Sequence, residues 1–280
     1  NVLGDHPSLT VLKQDIRDLD PLVFEGADTV FHLANIANDP SVDLDPVLSW
    51  EVNVLGAMRL AELAKKSQVK RFIYASSGSV YGVQDADRVT EDLPLVPISV
   101  YNKTKMVAER VLLSYANTMD IFCVRPATVC GVSPRQRLDV AVNMLTFQAL
   151  ERGEITVFGG SQTRPNIHIK DLIQAYLHLL NTDAEPGIYN AGFENISIIE
   201  IAERIQSLVS CKITTTPSND PRSYRLCSQK LLDTGFTPSY SVAKAMEELC
   251  QAHSAGHLVD LPECHNVKWM NKILAGSLGK

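Results

Sequence analysis

The sequence lacks any apolar run long enough to cross a membrane. A spanning helix needs about 18 or more consecutive apolar residues, and the longest candidates here are broken by Asp, Asn or Lys. Positive charge is not in excess either, since 26 Lys and Arg stand against 32 Asp and Glu, a net charge of −6. We therefore expect neither membrane nor nucleic acid as a partner, and any anion site must be built locally.

Paired cysteine spacing is also missing. The six cysteines suit free thiols in a reducing compartment better than a disulfide framework, which predicts a cytoplasmic protein. His253 and His257, followed by Cys264 and His265, are of metal-ligating types. The residues between them resemble a loop, so we expect no metal site.

What the sequence does contain is a regular alternation of short β-rich runs and helical stretches, typical of a parallel sheet covered by helices. Strands are predicted at residues 9–16, 28–34, 70–77 and 120–129. Helices are predicted over residues 46–66 and from Tyr101 onward. After Gly131 the elements become shorter and predict a smaller second part, with no assignment for the tail from His253.

Tyr101 and Lys105 are one helical turn apart and face the same side. An ammonium group near a phenol favours the phenolate and lowers its pKa, so Tyr101 could act as a general acid or base. The predicted strand 70–77 ends in serines, at the sheet edge where ligands bind in open α/β folds. A chance helical spacing and a Ser-rich turn remain the structural alternatives.

Several motifs occur together in one order: "YASSGSVYG" (74–82), "YNKTK" (101–105), "RPATVCG" (125–131) and "RPNIHIKDL" (164–172). With these motifs the chain resembles the extended short-chain dehydrogenases/reductases of the nucleotide-sugar epimerase/dehydratase group. The resemblance implies an α/β fold with a Rossmann-like doubly wound parallel sheet and a smaller C-terminal substrate-binding part. The expected division is residues 1–131 for NAD binding and 132–280 mainly for substrate, with some segments returning to the first part.

The resemblance also implies site residues. Ser77, Tyr101 and Lys105 would be catalytic, and Tyr101 would exchange the proton. The cofactor would be NAD, with NADP as the alternative, in contact with Asp15, Ile16, Leu33, Ala34, Asn53, Tyr101, Lys105 and Pro126. A nucleotide-sugar substrate would contact Ser79, Thr128, Asn143, Arg164 and Arg222.

Arg164 and Arg222 are the candidates for the substrate diphosphate, because a planar guanidinium matches phosphate oxygens in pairs. Residues 134–144 are a further candidate for the substrate lip. Each residue has a plainer alternative: a surface arginine, a turn residue at Asp15, a buried polar group at Asn53.

The resemblance implies a glycine-rich loop, G-x-x-G-x-x-G, around the cofactor pyrophosphate. No such spacing occurs in the sequence. We therefore expect the first strand, first helix and second strand of that fold to be missing, and NAD to bind poorly.

In the group that the chain resembles, dehydratases carry an Asp-Glu pair directly before Val-Tyr-Gly. Decarboxylases carry a Glu at the position of Ser79, and enzymes of the GDP-fucose-synthase type carry a Cys there. Here Gly78 and Ser79 stand instead. A 4-epimerase, which oxidises the sugar C4 hydroxyl and reduces it again, is preferred, with an NAD(P)H-dependent 4-ketoreductase as the alternative. A non-catalytic nucleotide-binding relative is a third reading. Thr128 and Cys130 depart from the Asn and Tyr usual in epimerases, which leaves the sugar open.

Relatives of this kind form dimers through two helices from each subunit. The corresponding helices here are 52–63 and the one from Tyr101, which carry apolar residues including Met58 and Met106. A homodimer is expected, although burial in the core would explain the same residues.

Overall fold

The computed structural model describes residues 6–84, 86–218 and 223–277. Its strands are β1 (Thr29–His32), β2 (Arg71–Ala75), β3 (Asp120–Pro126), β4 (Thr128–Cys130), β5 (Glu154–Phe158), β6 (Thr163–His168), β7 (Gly187–Ala191), β8 (Glu194–Ser197) and β9 (Lys212–Thr216). Its α-helices are α1 (Asp39–Val42), α2 (Pro46–Trp50), α3 (Gly56–Lys66), α4 (Val100–Leu113), α5 (Ala141–Arg152), α6 (Ile169–Asn181), α7 (Ile198–Leu208), α8 (Gln229–Leu232), α9 (Val242–Ser254) and α10 (Asn266–Ser277).

A parallel sheet in the order β1-β2-β3-β7 forms the centre of the fold. Its register places His32 beside Tyr74, Tyr74 beside Cys123, and Cys123 beside Ile188. All four strands therefore end at the same edge. In an open α/β sheet, that edge is where a ligand site forms.

Helices cover both faces of this sheet, which explains why its strands are nearly continuous apolar runs. On one face Phe72 and Tyr74 pack in a buried cluster with Leu112 of α4. On the other face Ile73 packs in a cluster with Leu179 of α6. Successive residues of β2 thus point to opposite faces and bury on both.

The chain after residue 131 contributes to a third buried cluster, in which Leu145 of α5, Ile201 of α7 and Met246 of α9 pack together. Two small sheets, β4-β6-β8 and β5-β9, accompany these helices. Since β7 joins the central sheet and α6 packs on it, segments of this second part return to the first.

Three predictions from the sequence differ from the structure in detail. Residues 9–16 form no strand, and residues 9–15 are exposed and irregular. Within the described residues β1 pairs only with β2, so no neighbouring strand is placed to pair with residues 9–16. The predicted strand 120–129 is interrupted after Pro126, so β3 and β4 belong to different sheets. The predicted helix 46–66 contains a π-helical turn at Glu51–Leu55 between α2 and α3.

The tail, for which the sequence predicts no element, contains α10. Within the described part of the chain, no helix is long and apolar enough to cross a bilayer.

Gly82 and Gly153 allow a matched test of packing. Both have positive φ, +67° and +64°, but a Cβ at Gly82 would lie 1.9 Å from the carbonyl oxygen of Val96, whereas at Gly153 nothing lies within 4 Å. Gly153→Ala should cost about 1 kcal/mol of unfolding free energy from backbone strain alone. Gly82→Ala should cost about 3 kcal/mol or more. Urea unfolding measures both, and equal losses would contradict the close approach at Gly82.

Candidate active site

A cleft of about 750 Å³ opens at the carboxyl ends of the central strands. Its wall includes Ser77 and Ser79, which follow β2, and Tyr101 from the first turn of α4. Pro126 at the end of β3 and Arg164 of β6 also line the cleft. The cleft thus joins residues from both parts of the chain.

Tyr101 is placed by the start of α4. The Ser99 hydroxyl caps this helix by accepting a hydrogen bond from the Asn102 N–H at 3.1 Å, so Tyr101 enters the cleft from a defined first turn. Burial raises the pKa of Tyr101, while a hydrogen bond with Ser77 acts in the opposite direction. The Ser77 and Ser79 hydroxyls are 2.8 Å apart. The two predicted catalytic hydroxyls, Ser77 and Tyr101, are therefore neighbours.

Lys105 lies one turn further along α4 and is only 3% exposed. Its Nζ donates a hydrogen bond to the Ala75 carbonyl oxygen at 2.7 Å and lies 5.9 Å from the centre of the Tyr101 ring. Burial lowers the pKa of Lys105 to about 7, although the charge of Glu109 acts to raise it. The lysine is thus held against the end of β2, close to the predicted acid–base residue.

The expectation that Lys105 lowers the pKa of Tyr101 is wrong for this structure. The pKa of Tyr101 is raised, because burial of the phenol outweighs the groups that favour its ionised form. Lys105 is itself buried, and with a pKa of about 7 it is only partly protonated at pH 7, which weakens its field at the phenol.

Behind these residues lies a buried ionic network that the sequence analysis missed. Arg125 and Glu109 form an ion pair at 2.7 Å, with each side chain 1% exposed. The Ser76 hydroxyl also donates to Glu109, and Arg125 donates to the Tyr81 hydroxyl at 2.7 Å. Glu109 follows Lys105 by one turn, and that spacing was the available signal.

The predicted substrate residues divide into three groups. Ser79, Thr128 and Arg164 line the cleft. Asn143 also borders it, but its side chain bonds to backbone, accepting from the Gly131 N–H at 2.9 Å. Arg222 lies outside the described residues.

Among the predicted cofactor residues, Asn53 differs from the expectation. It is fully buried, as the alternative of a buried polar group predicts, and it is not among the residues that line the cleft. Its Oδ1 accepts from the Ile36 N–H at 2.8 Å, and its Nδ2 donates to the Ile36 carbonyl and to Thr104 Oγ1. Asn53 therefore ties the loop after β1 to α4.

The other predicted cofactor residues lie along the loops beside β1. Asp15 is exposed and paired with Arg17 at 2.9 Å, which lowers the pKa of Asp15. Ile16 packs 3.1 Å from the position of a Cβ on Gly56. Leu33 and Ala34 are exposed directly after β1.

The same loop contains a feature suited to a polar ligand. Both amide atoms of Asn35 are buried and have no hydrogen-bond partner among the described residues. A buried amide without partners is costly, so a ligand with donors and acceptors would be favoured here. The residues at the end of β1 therefore fit a polar cofactor such as a dinucleotide.

The histidines at the end of the chain have other partners. His253 Nε2 contacts Glu151 at 2.6 Å, and His265 pairs with Asp260. Over residues 6–84, 86–218 and 223–277, no group of three or more His, Cys, Asp or Glu side chains is arranged to hold a metal ion.

The altered pKa of Lys105 can be measured directly. Lysine ε-carbon resonances followed by NMR should show Lys105 titrating near pH 7, whereas exposed Lys70, paired with Asp28, should titrate above 10.5. The unfolded chain binds more protons at Lys105 between pH 7 and 10.5, so this residue's contribution to the unfolding free energy falls as pH decreases over that range. Titration of Lys105 at its ordinary pKa would contradict its burial.

Comparison with known proteins agrees with this geometry. A UDP-glucose 4-epimerase of Mycolicibacterium smegmatis is 37% identical over 175 residues, which cover 59% of this chain and 56% of that protein. UDP-glucuronic acid decarboxylase 1 of Danio rerio is 27% identical over 263 residues, covering 89% and 62%. The chain thus spans less than two thirds of the length of these curated relatives.

A solved structure has a similar fold. UDP-glucuronic acid 4-epimerase from Bacillus cereus, in complex with UDP-glucuronic acid and NAD, matches with a TM-score of 0.75 and 29% identity over 85% of this chain and 80% of that one. The Rossmann-like fold is thereby confirmed. The model of the NAD dependent epimerase/dehydratase family matches residues 5–192, more than half of the sequence. The chain belongs to the NAD-dependent epimerase/dehydratase family.

Proposed function

We propose that the chain forms the active site of an NAD-dependent nucleotide-sugar 4-epimerase. The observation that carries this proposal is the meeting of Ser77, Tyr101 and Lys105 at the end of β2, beside an open cleft. A serine hydroxyl, a half-buried phenol in the cleft wall and a buried lysine can together exchange a proton with a sugar hydroxyl. Gly78 and Ser79 provide no carboxylate for elimination or decarboxylation.

In the proposed reaction, Tyr101 first ionises, a form that the hydrogen bond with Ser77 and the charge of Arg137 favour against burial. The phenolate accepts the proton of the sugar C4 hydroxyl as the carbon is oxidised, and the phenol returns it as the carbon is reduced again. Ser77 donates a hydrogen bond to the same sugar oxygen. NAD, when bound, accepts and returns the hydride. Lys105, held by the Ala75 carbonyl, supplies positive charge beside the phenol when protonated.

We propose that NAD lies along the loops after β1, β2 and β3. Leu33 and Ala34 are exposed at the first, and Pro126 borders the cleft at the third. The Asn35 side-chain amide, which has no hydrogen-bond partner among the described residues, is consistent with a polar ligand beside the loop after β1. Arg164 and Thr128, which line the same cleft, would then contact the nucleotide-sugar.

Tyr101→Phe tests the proposed chemistry. The variant removes only the proton-exchanging hydroxyl, so the turnover of UDP-hexoses by the full chain with NAD should fall at least about 100-fold. UDP binding should stay within about threefold, because the ring remains. Epimer formation followed by NMR, and calorimetry with UDP, provide the two readouts.

The control is Tyr240→Phe, an exposed tyrosine on the loop before α9, outside the cleft. It should retain full turnover. Equal turnover of Tyr101→Phe and the unaltered chain would overturn the proposal. Net consumption of reduced cofactor with a 4-keto-sugar, without epimer formation, would indicate the ketoreductase instead.

We also propose a homodimer formed through α2, the following π-helical turn and α3. Val47, Leu55 and Met58 are exposed there by 70%, 54% and 43%, which is unusual for neighbouring apolar side chains. Met106 is explained differently, since it packs on the core.

Met58→Glu should shift the sedimentation of the chain from dimer to monomer, because a charge would be buried in the interface. Phe158→Glu, which alters another exposed apolar residue away from these helices, should leave the dimer intact. A monomer for the unaltered chain at micromolar concentration would contradict the proposed interface.

A further inference from the structure

Asn266, the first residue of α10, lies at a junction of three segments around the cleft. It is 8% exposed, although the helix that it begins is at the surface. Its Nδ2 donates to the Ala37 carbonyl at 3.2 Å, on the loop after β1. Its Oδ1 accepts from Arg135 Nη2 at 2.9 Å. One side chain therefore joins the proposed cofactor side of the cleft to the proposed substrate side.

The backbone of Asn266 makes a third connection. Its N–H donates to Asp139 Oδ2 at 2.8 Å, so a carboxylate from the loop before α5 binds the N-terminus of α10. The other oxygen of Asp139 accepts from Arg137 Nε at 2.8 Å. Burial opposes ionisation of Asp139, but the bonds from Arg137 and Asn266 outweigh it and lower the pKa of Asp139.

The two arginines that this junction holds both border the cleft, as do Ala37, Asp139 and Val267 of α10. The charge of Arg137 also reaches the proposed acid–base residue, where it favours the ionised form of Tyr101. On a chain with net charge −6, these guanidinium groups supply local positive charge to the cleft wall. Arg137 shares its charge with Asp139, so Arg135 is the better candidate to bind an anion.

The loop that carries these arginines has a second support from the tail. The Leu138 N–H donates to the Cys264 carbonyl at 2.9 Å, and both residues are buried in one cluster with Leu249 and Leu258. The tail therefore forms part of the cleft wall, and its packing fixes the position of the loop 132–139.

We propose that Asn266 is a positioning residue: it holds the guanidinium of Arg135 in the cleft wall, where it binds an anionic group of the substrate. Through Asp139 it also holds Arg137. The anionic group is the substrate diphosphate or a sugar carboxylate, which share the same chemistry of oxygen atoms. This inference rests on the proposed function, because it assumes a nucleotide-sugar in the cleft.

The test is equilibrium binding of UDP, UDP-glucose and UDP-glucuronic acid to the full chain by calorimetry. Asn266→Ala should raise the Kd of all three about tenfold if Arg135 binds the diphosphate, because a fixed charged donor becomes mobile. It should weaken only UDP-glucuronic acid if Arg135 binds a sugar carboxylate. Asn271→Ala, an exposed asparagine on the same helix, should stay within about twofold of the unaltered chain.

A double-mutant cycle separates positioning from general loosening of the tail. Arg135→Gln alone should weaken binding about as much as Asn266→Ala, and the two together should lose little more, because both remove the same contact. Additive losses would mean that Asn266 acts on overall stability only, and would overturn the proposal. Arg135→Gln leaves the hydrogen bonds of Asn266 to Ala37 and Asp139 in place, so it tests the anion contact even if Asn266→Ala does not fold.

The failure of this inference differs from failure of the proposed function. If the unaltered chain binds these ligands and neither Asn266→Ala nor Arg135→Gln changes any Kd, this inference fails and the epimerase proposal stands. If binding responds as predicted but no ligand is turned over, only the epimerase proposal fails. If the unaltered chain binds none of the three ligands, both fail.

Discussion

The buried ion pair between Glu109 and Arg125 is the interaction on which the candidate site depends. It joins α4 to β3, and the Ser76 hydroxyl brings the end of β2 into the same network. Removing one member of such a pair typically costs about 3–5 kcal/mol, because the other charge stays buried without a partner. The ion pair and its hydrogen bonds therefore fix α4, β2 and β3, which carry the site, relative to one another.

One face of α4 connects this structural pair to the chemistry. Tyr101, Lys105 and Glu109 follow at intervals of one turn, so the same side of the helix faces first the cleft, then the Ala75 carbonyl, then the buried network. A shift of α4 would move the phenol and the lysine together. Another wall of the cleft depends on a second support, the junction at Asn266. The two supports meet at the loop after β1, because Asn53 ties Ile36 to α4 and Asn266 binds the Ala37 carbonyl.

The sequence predicted those features that depend on local spacing. Ser77, Tyr101 and Lys105 were identified because a strand end and a helical turn place them, and both elements form as expected. The prediction of a strand at 9–16 is wrong because a strand also needs a neighbouring strand to pair with, and the local sequence pattern does not show whether one is present. Asn266 was missed because its contacts with Arg135 and Ala37 span 131 and 229 positions of sequence. Such contacts depend on how the tail packs against the rest of the chain, and the weak hydrophobic periodicity of the tail does not predict that packing.

The central claim is that Tyr101 exchanges a proton while the C4 hydrogen leaves and returns as hydride within one cleft. Incubating the full chain with NAD and UDP-glucose deuterated at C4 tests this most directly. The account predicts a C4 epimer that keeps its deuterium in ordinary water, because the hydride returns from the cofactor to the same carbon. An epimer that has lost deuterium to solvent, or no change at C4 while both NAD and UDP-glucose are bound, would contradict it.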